Sequence, residues 1–405
     1  MAALPSEPFA SDDIKGLKYF TPIRKLLERL RGEKGHFNRN LHYDQYIALL
    51  LLYFYSPILK TLGDIHRASA LEFVQKKLGV RRASLGSLSE ASHVFDPEPL
   101  KAIFLDLAKQ ASAENAVPPP RGVPEDIDII AADGSLLDAL PKMIWANWLG
   151  EHEKAVKIHL QFDVLRGIPS DAALTDGNGD EKAALKKRLE DGNLYVVDRG
   201  YFDYKLYQSI LDAKSSFLAR LRGNFVSKVL EELPVSEEAR ASGVLSDQKV
   251  LIGCESTGAQ MKTPMRLVKV HVKNPPPHGL KPPGKKVSGK VKSVRVQETE
   301  FDVWLLTDRF DIPAESLALI YIYRWQIEIF FRWLKCTLGC RHLLAHSENG
   351  IQIQIYAALI ASLLVVLWTN RKPNRVSLFY LGMYFQGWAS LDELMAHLNK
   401  LKNQK

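Results

Sequence analysis

The chain has 405 residues, 46% hydrophobic and 25% charged, a balance that allows two or three domains with sizeable cores and excludes a disordered or fibrous protein. Lys and Arg outnumber Asp and Glu by 54 to 46, and the net charge of +8 leans toward a polyanionic partner such as nucleic acid or an anionic membrane. Three cysteines, Cys254, Cys336 and Cys340, with no C-x-x-C pair, exclude a disulfide scaffold and a zinc knuckle and fit a reducing, cytoplasmic compartment. The opening stretch MAALPSEPFASDDIKGLK carries acidic residues where an export signal needs an apolar run, so no such signal is expected.

Residues 1–115 read as helical. Ile23, Leu26, Leu27 and Leu30 recur at helical spacing, and the apolar run 46–59 follows. That run and 355–368, about 14 residues each, fall short of a membrane span of roughly 18 and read as core helices. Gly79 closes one short helix, and Ser87-x-x-Glu90 is expected to cap the next. The basic turn between them (Lys76, Lys77, Arg81, Arg82) suits either a helix-turn-helix or a plain helical hairpin. Four prolines in 116–126 make a linker.

Beyond the linker the period changes. IDIIAAD (127–133) is a buried-looking run ending in a carboxylate, AVKIHLQFDVL (155–165) alternates like a strand, 181–190 is a charged amphipathic helix, and NLYVVDRGY (193–201) is again a buried strand ending in a carboxylate. Strands interleaved with helices predict an α/β domain over 127–345, with charged strand ends gathered at one sheet edge. Short β-rich pieces within 222–300 predict an inserted β subdomain, in which the proline-rich stretch around 275–290 carries only basic charges and reads as a loop. From Asp311 onward the chain reads as helical, with 346–405 a C-terminal helical region.

The segment YIYRWQIEIFFRWLK (321–335) is the most informative. At about 100° per residue, Tyr321, Arg324, Glu328 and Lys335 share one narrow stripe on a helix that is otherwise apolar almost all round. A buried stripe of charge must face something polar. It could be closed by an intrahelical ladder of Glu328 with Arg324 and Lys335, or face Asp133 and Asp198 from the strands. Three carboxylates at one point repel unless cations lie between them, and hard divalent ions fit oxygen ligands.

AADGS at Asp133, VVDRGY at Asp198 and the Tyr-x2-Arg-x3-Glu-x6-Lys spacing resemble the DDE transposases of bacterial insertion sequences, in the YREK-signature group (insertion sequence four type). The resemblance covers about 126–345. It implies a ribonuclease H-like catalytic domain with an inserted β subdomain, and Asp133, Asp198 and Glu328 as catalytic ligands of two Mg²⁺ or Mn²⁺ ions. It further implies Tyr321, Arg324 and Lys335 as contacts to double-stranded DNA, a helical DNA-binding N-terminal region, cut-and-paste joining of 3′-hydroxyl ends to target DNA, and a synaptic homodimer. Trp304 is the local candidate for stacking on a flipped base, although its register relative to Thr307 would turn it to the other face of its strand, where it reads as core. Gly134 departs from the group by standing where a hydroxyl residue is common. The alternatives are a catalytically silent DNA-binding relic and a metal-dependent nuclease that does not join ends.

The positive charge is concentrated. Residues 16–40 hold seven Lys/Arg against two Glu, and 273–295 hold seven with no acid, so the remainder of the chain is slightly acidic. Both stretches are expected to clamp a DNA backbone in a salt-sensitive way.

Overall fold

A computed structural model describes residues 27–31, 40–56, 58–114, 117–148, 150–223, 225–254, 259–273, 300–369, 376, 379–380, 383–384 and 387–403. The basic loop within 273–295 and most of the basic stretch 16–40 lie outside these residues.

The N-terminal region is helical, through Tyr43–Tyr55, Leu62–Ser69, Glu72–Leu78, Leu85–Val94 and Glu98–Glu114. Gly79, at φ 66°, closes Glu72–Leu78 in the left-handed conformation that only glycine adopts without cost. The next helix begins at Leu85, two residues before the expected cap. Ser84, not Ser87, is the cap, and its hydroxyl accepts the N–H of Ser87 at 3.0 Å, because Ser84 is the last extended residue before the turn closes.

Strands β1 (Asp128–Asp138), β3 (Gly150–Asp163) and β4 (Ile168–Asp176) form an antiparallel meander, with the short β2 (Asn147–Trp148) on β3. β5 (Asn193–Val197) and β6 (Ser216–Arg220) join in parallel on the other side of β1. The remaining strands are β7 (Ser227–Glu232), β8 (Val244–Cys254), β9 (Ala259–Gln260), β10 (Met265–Lys273) and β11 (Glu300–Thr307). They continue the same sheet rather than standing apart, since β11 pairs antiparallel with β6, and the order is β2-β3-β1-β5-β6-β11-β10-β8-β7.

The sheet has two apolar faces, and alternation along each strand decides which side chain meets which. Ile129, Ala131, Val196, Leu218, Val303 and Leu305 join one large cluster that also holds the N-terminal helices, the segment 314–338 and the helix Glu348–Thr369. Ile130, Ala132, Val197, Phe217, Ala219 and Leu306 face a smaller cluster with Tyr195, Tyr201 and Tyr207. Within Glu348–Leu367, 20 residues of mean hydropathy 2.1 are long and apolar enough to cross a membrane, yet 89% of the most apolar window is buried inside the protein. Its polar residues find partners there: Gln354 accepts the N–H of Leu344 at 2.8 Å and donates to the carbonyl of His342 at 2.7 Å.

Candidate active site

Asp133 and Asp198 meet at one edge of the parallel pairing. β1 and β5 pair through Ala132 and Val197, and the two aspartates are the next residues along. β1 itself does not end there. It runs on to Asp138 against β3, with Asp133 opposite Leu160, so Asp133 is a mid-strand residue and only the β5 pairing stops beside it. The physical reason is that β3 is long enough to keep the backbone of 133–138 hydrogen-bonded after β5 has turned away.

The helix predicted over 321–335 is three pieces: Ala314–Tyr323, then Gln326–Arg332, then one π turn at Trp333–Thr337. At the junction the bonds tighten to i→i+3, from Trp325 N–H to the Ile322 carbonyl (3.1 Å) and from Ile327 N–H to the Arg324 carbonyl (3.1 Å). This segment packs on the sheet face that Asp133 and Asp198 share, through Tyr321, Ile327, Phe330 and Phe331.

Arg324 lies among the carboxylates. Its Nη2 donates to Glu328 Oε1 at 2.9 Å, and its Nη1 is 3.8 Å from Asp133 Oδ2. The residue is 5% exposed, while the side chains of Asp133, Asp198 and Glu328 are 26%, 34% and 34% exposed. Burial by itself would lower the Arg324 pKa; Tyr321, Asp133, Asp198 and Glu328 reverse that and hold the charge. Tyr321, buried, donates its hydroxyl to Asp198 Oδ1 at 3.0 Å.

The two aspartates titrate in opposite directions. Burial pushes Asp133 up to about 7, against the pull of Arg324 and the Gly134 N–H, with Glu328 and Glu181 adding repulsion. Burial also raises Asp198, but Arg324, the Arg199 N–H, Arg220 and the Tyr321 hydroxyl more than offset it and hold that carboxyl below the ordinary range. Asp198 is therefore the anchored anion, and Asp133 the group whose proton is exchangeable near neutrality.

Lys335 departs from the stripe. The π turn inserts an extra residue's worth of rotation ahead of it, and its ammonium donates to the Leu136 carbonyl of β1 at 2.5 Å instead of completing a ladder with Glu328. Trp304 is not brought to the carboxylates. It packs with the smaller cluster on the opposite face of the sheet, half-buried, edge-on to Phe225 at 5.5 Å, with the Lys269 ammonium 5.3 Å from its ring centre. His159 lies on that other face too, buried, its Nε2 2.8 Å from the Thr175 hydroxyl, and burial with Arg188 and Lys157 pulls its pKa to about 4, which keeps it neutral.

Two residues of the site are absent from the sequence reading. Arg220, at the end of β6 and 5% exposed, places Nη1 3.8 Å from Asp198 Oδ1. A cation closing the buried run SFLAR, one parallel strand away from Asp198, was the available signal. Glu181 explains Gly134: a β-carbon there would meet Glu181 Oε1 at 2.6 Å, so the glycine leaves room for that carboxylate, which lies 3.5 Å from the Lys157 ammonium.

The donor set of Asp133, Asp198 and Glu328, all oxygen and all partly exposed, suits a hard divalent ion. Among the described residues no three acidic, His or Cys side chains are drawn together as a closed metal shell, and the Arg324 guanidinium contacts both Asp133 and Glu328.

Residues 124–364, more than half of the chain, match the family model described as a transposase DDE domain. A protein of Sinorhizobium fredii (strain NBRC 101917 / NGR234) named as transposase y4zB is 27% identical over 236 residues, 58% of each chain. One of Geobacillus stearothermophilus, named as a transposase for insertion sequence element IS5377, is 24% identical over 257 residues, 62% of this chain and 60% of that one. One of Synechocystis sp. (strain ATCC 27184 / PCC 6803 / Kazusa), named as a transposase for insertion sequence element IS4SA, is 24% identical over 355 residues, 86% of this chain and 91% of its own. The alignments thus span 58% and 60% of the length of the first two of these relatives. With the carboxylates of β1 and β5 inside the matched segment, the chain belongs to the family of transposase DDE domains.

Proposed function

We propose that this chain is a DNA transposase that binds the ends of its own insertion sequence, cleaves them by metal-dependent hydrolysis and joins the freed 3′-hydroxyls to target DNA. One observation carries the reading: Asp133 and Asp198 stand side by side where the β1–β5 pairing ends, under the segment that brings Glu328, Arg324 and Tyr321 to them, on a chain of this family. The strand order β4-β3-β1-β5-β6, antiparallel and then parallel, supports a ribonuclease H-like core, with β7–β10, within 222–300, as the inserted β unit.

Asp133, Asp198 and Glu328 are the residues that would hold two Mg²⁺ or Mn²⁺ ions, which when bound supply an activated hydroxyl and charge stabilisation at the leaving oxygen. The protein's own groups orient and bind. Tyr321 fixes the Asp198 rotamer through its hydroxyl. Arg324 offers a planar fork suited to a phosphate, and Lys335 a point charge beside β1. Double-stranded DNA, as element end and as target, is the partner, and two ends call for a synaptic homodimer.

The test uses the full chain, Mg²⁺ and a duplex carrying the element's terminal repeat. Nicking at the repeat boundary and insertion of a precut end into a plasmid are expected. Nicking without insertion would make the protein a nuclease, and neither reaction under any divalent ion would make it a binding protein.

Two further outcomes follow from the geometry. A metal ligand must be deprotonated, so affinity for Mn²⁺ is expected to rise about tenfold per pH unit below about 7 and to level off above it, as the Asp133 proton ceases to compete. The same raised carboxyl favours the folded state fully below the ordinary aspartate pKa, and that contribution is lost as pH rises through about 7. Calorimetric Mn²⁺ titration at several pH values checks this, and Asp133→Asn should flatten the profile. Trp304→Phe keeps an aromatic ring on its own face of the sheet, away from the carboxylates, so cleavage is expected to stay near the wild-type rate. A hundredfold loss in a gel-based cleavage assay would restore a DNA role to that indole.

A further inference from the structure

The metal-site reading above leaves a charge problem that the arginines solve. Arg324, buried, contacts Glu328 at 2.9 Å and Asp133 at 3.8 Å, and Arg220, equally buried, stands 3.8 Å from Asp198. Three carboxylates thus already have two guanidiniums as counter-ions. Among the described residues no group of three or more acidic, His or Cys side chains stands ready to hold a metal ion. Adding two divalent ions while both arginines stayed in place would leave a large excess of positive charge in a partly buried site, which proteins avoid. The anion able to offset it is the phosphodiester backbone of bound DNA, for which a guanidinium is a matched, two-point partner.

We infer that the site is partly self-neutralised, with Arg220 and Arg324 standing in for divalent ions, and that loading of the metal is coupled to transfer of these guanidiniums onto the phosphates of a bound DNA end. Arg220 is the new element: a positioning residue that holds Asp198 while the site waits for DNA and opposes premature metal binding. By reciprocity, DNA and metal then strengthen each other's binding. The inference rests on the proposed metal ligands and deepens that reading.

The experiment is a Mn²⁺ titration of the full chain, followed by electron paramagnetic resonance of the free ion, with and without a duplex of the element's terminal repeat. Wild type is expected to bind Mn²⁺ at least about fivefold more tightly with the duplex. Arg220→Gln should tighten DNA-free Mn²⁺ binding and shrink the coupling, while Arg220→Lys, which keeps the charge, stays near wild type. A structural role alone predicts the reverse for Arg220→Gln, namely weaker or unchanged Mn²⁺ binding, and that result in a protein with a normal thermal midpoint overturns the inference. Should the variant fail to fold, wild type with a duplex bearing neutral methylphosphonates at the cleavage site gives the answer. Loss of the coupling supports the handover, and full coupling overturns it. If Mn²⁺ binding to wild type is instead indifferent to Asp133→Asn and Glu328→Gln, it is the metal-site reading that fails.

Discussion

Glu328→Gln is expected to lower nicking at the element end by about a thousandfold or more, while end binding changes by no more than roughly threefold. The size follows from what the substitution removes. Substitutions that only disturb the orientation of a metal's ligands cost about ten- to a hundredfold, so loss of a carboxylate proposed to hold the metal itself should cost more. Glutamine keeps the volume and an oxygen that accepts the Arg324 Nη2 hydrogen, so the helix Gln326–Arg332 and its packing through Ile327, Phe330 and Phe331 should persist. What changes is charge: the guanidinium loses one of its counter-ions and the proposed metal site loses an anionic oxygen. A thermal midpoint within a few degrees of wild type, normal binding of the terminal repeat and absent nicking in Mg²⁺ is the expected set. Nicking at the wild-type rate would remove Glu328 from the site, whatever the family.

Much of this site is legible in the sequence because its residues are tied to periodic elements. Asp198 follows the five-residue β5 directly, and Arg324 and Glu328 are one helical turn apart, so their 2.9 Å contact is a local consequence of spacing. What fails is whatever depends on partners remote in sequence. The extension of β1 past Asp133 needs β3 beside it, β4 has no pattern distinct enough to separate it from a loop, and the continuity of β7–β11 with the central sheet comes from the β11–β6 pairing of residues 85 to 89 positions apart. The π turn at Trp333–Thr337 breaks an angular argument that assumes regular helix, which is why Lys335 reaches a backbone carbonyl and not a carboxylate. Arg220 depends on a remote partner in the same way. A single cation ending an apolar run is common, and only the parallel register with β5 brings it to Asp198.

The other large effect lies away from the carboxylates, at a buried ion pair that sets where the Glu328 segment begins. Arg266 of β10 donates through Nε to Asp247 Oδ1 at 2.9 Å and through Nη2 to Oδ2 at 2.6 Å, with both residues buried. Its Nη1 donates to the carbonyls of Arg309 at 3.2 Å and Ile312 at 2.5 Å, in the turn that leads from β11 into the helix Ala314–Tyr323. One guanidinium therefore satisfies a buried carboxylate and pins the backbone on which Tyr321 and Arg324 depend. Asp247→Ala leaves that cation buried without its counter-charge, and breaking such a pair costs about 3–5 kcal/mol. For a chain of this size the thermal midpoint should fall by roughly 5 °C. Replacing both partners with apolar residues of similar volume, Asp247→Leu with Arg266→Met, removes the uncompensated charge and should recover most of the loss, although the carbonyl of Ile312 then goes without its donor. Cleavage separates fold from chemistry: below its lowered midpoint the Asp247→Ala protein should still nick DNA, because its carboxylates are untouched, whereas the Glu328→Gln protein should not at any temperature. An Asp247→Ala midpoint equal to wild type would mean that Arg266 finds compensation in the turn alone, and that the pair does not fix the segment's register.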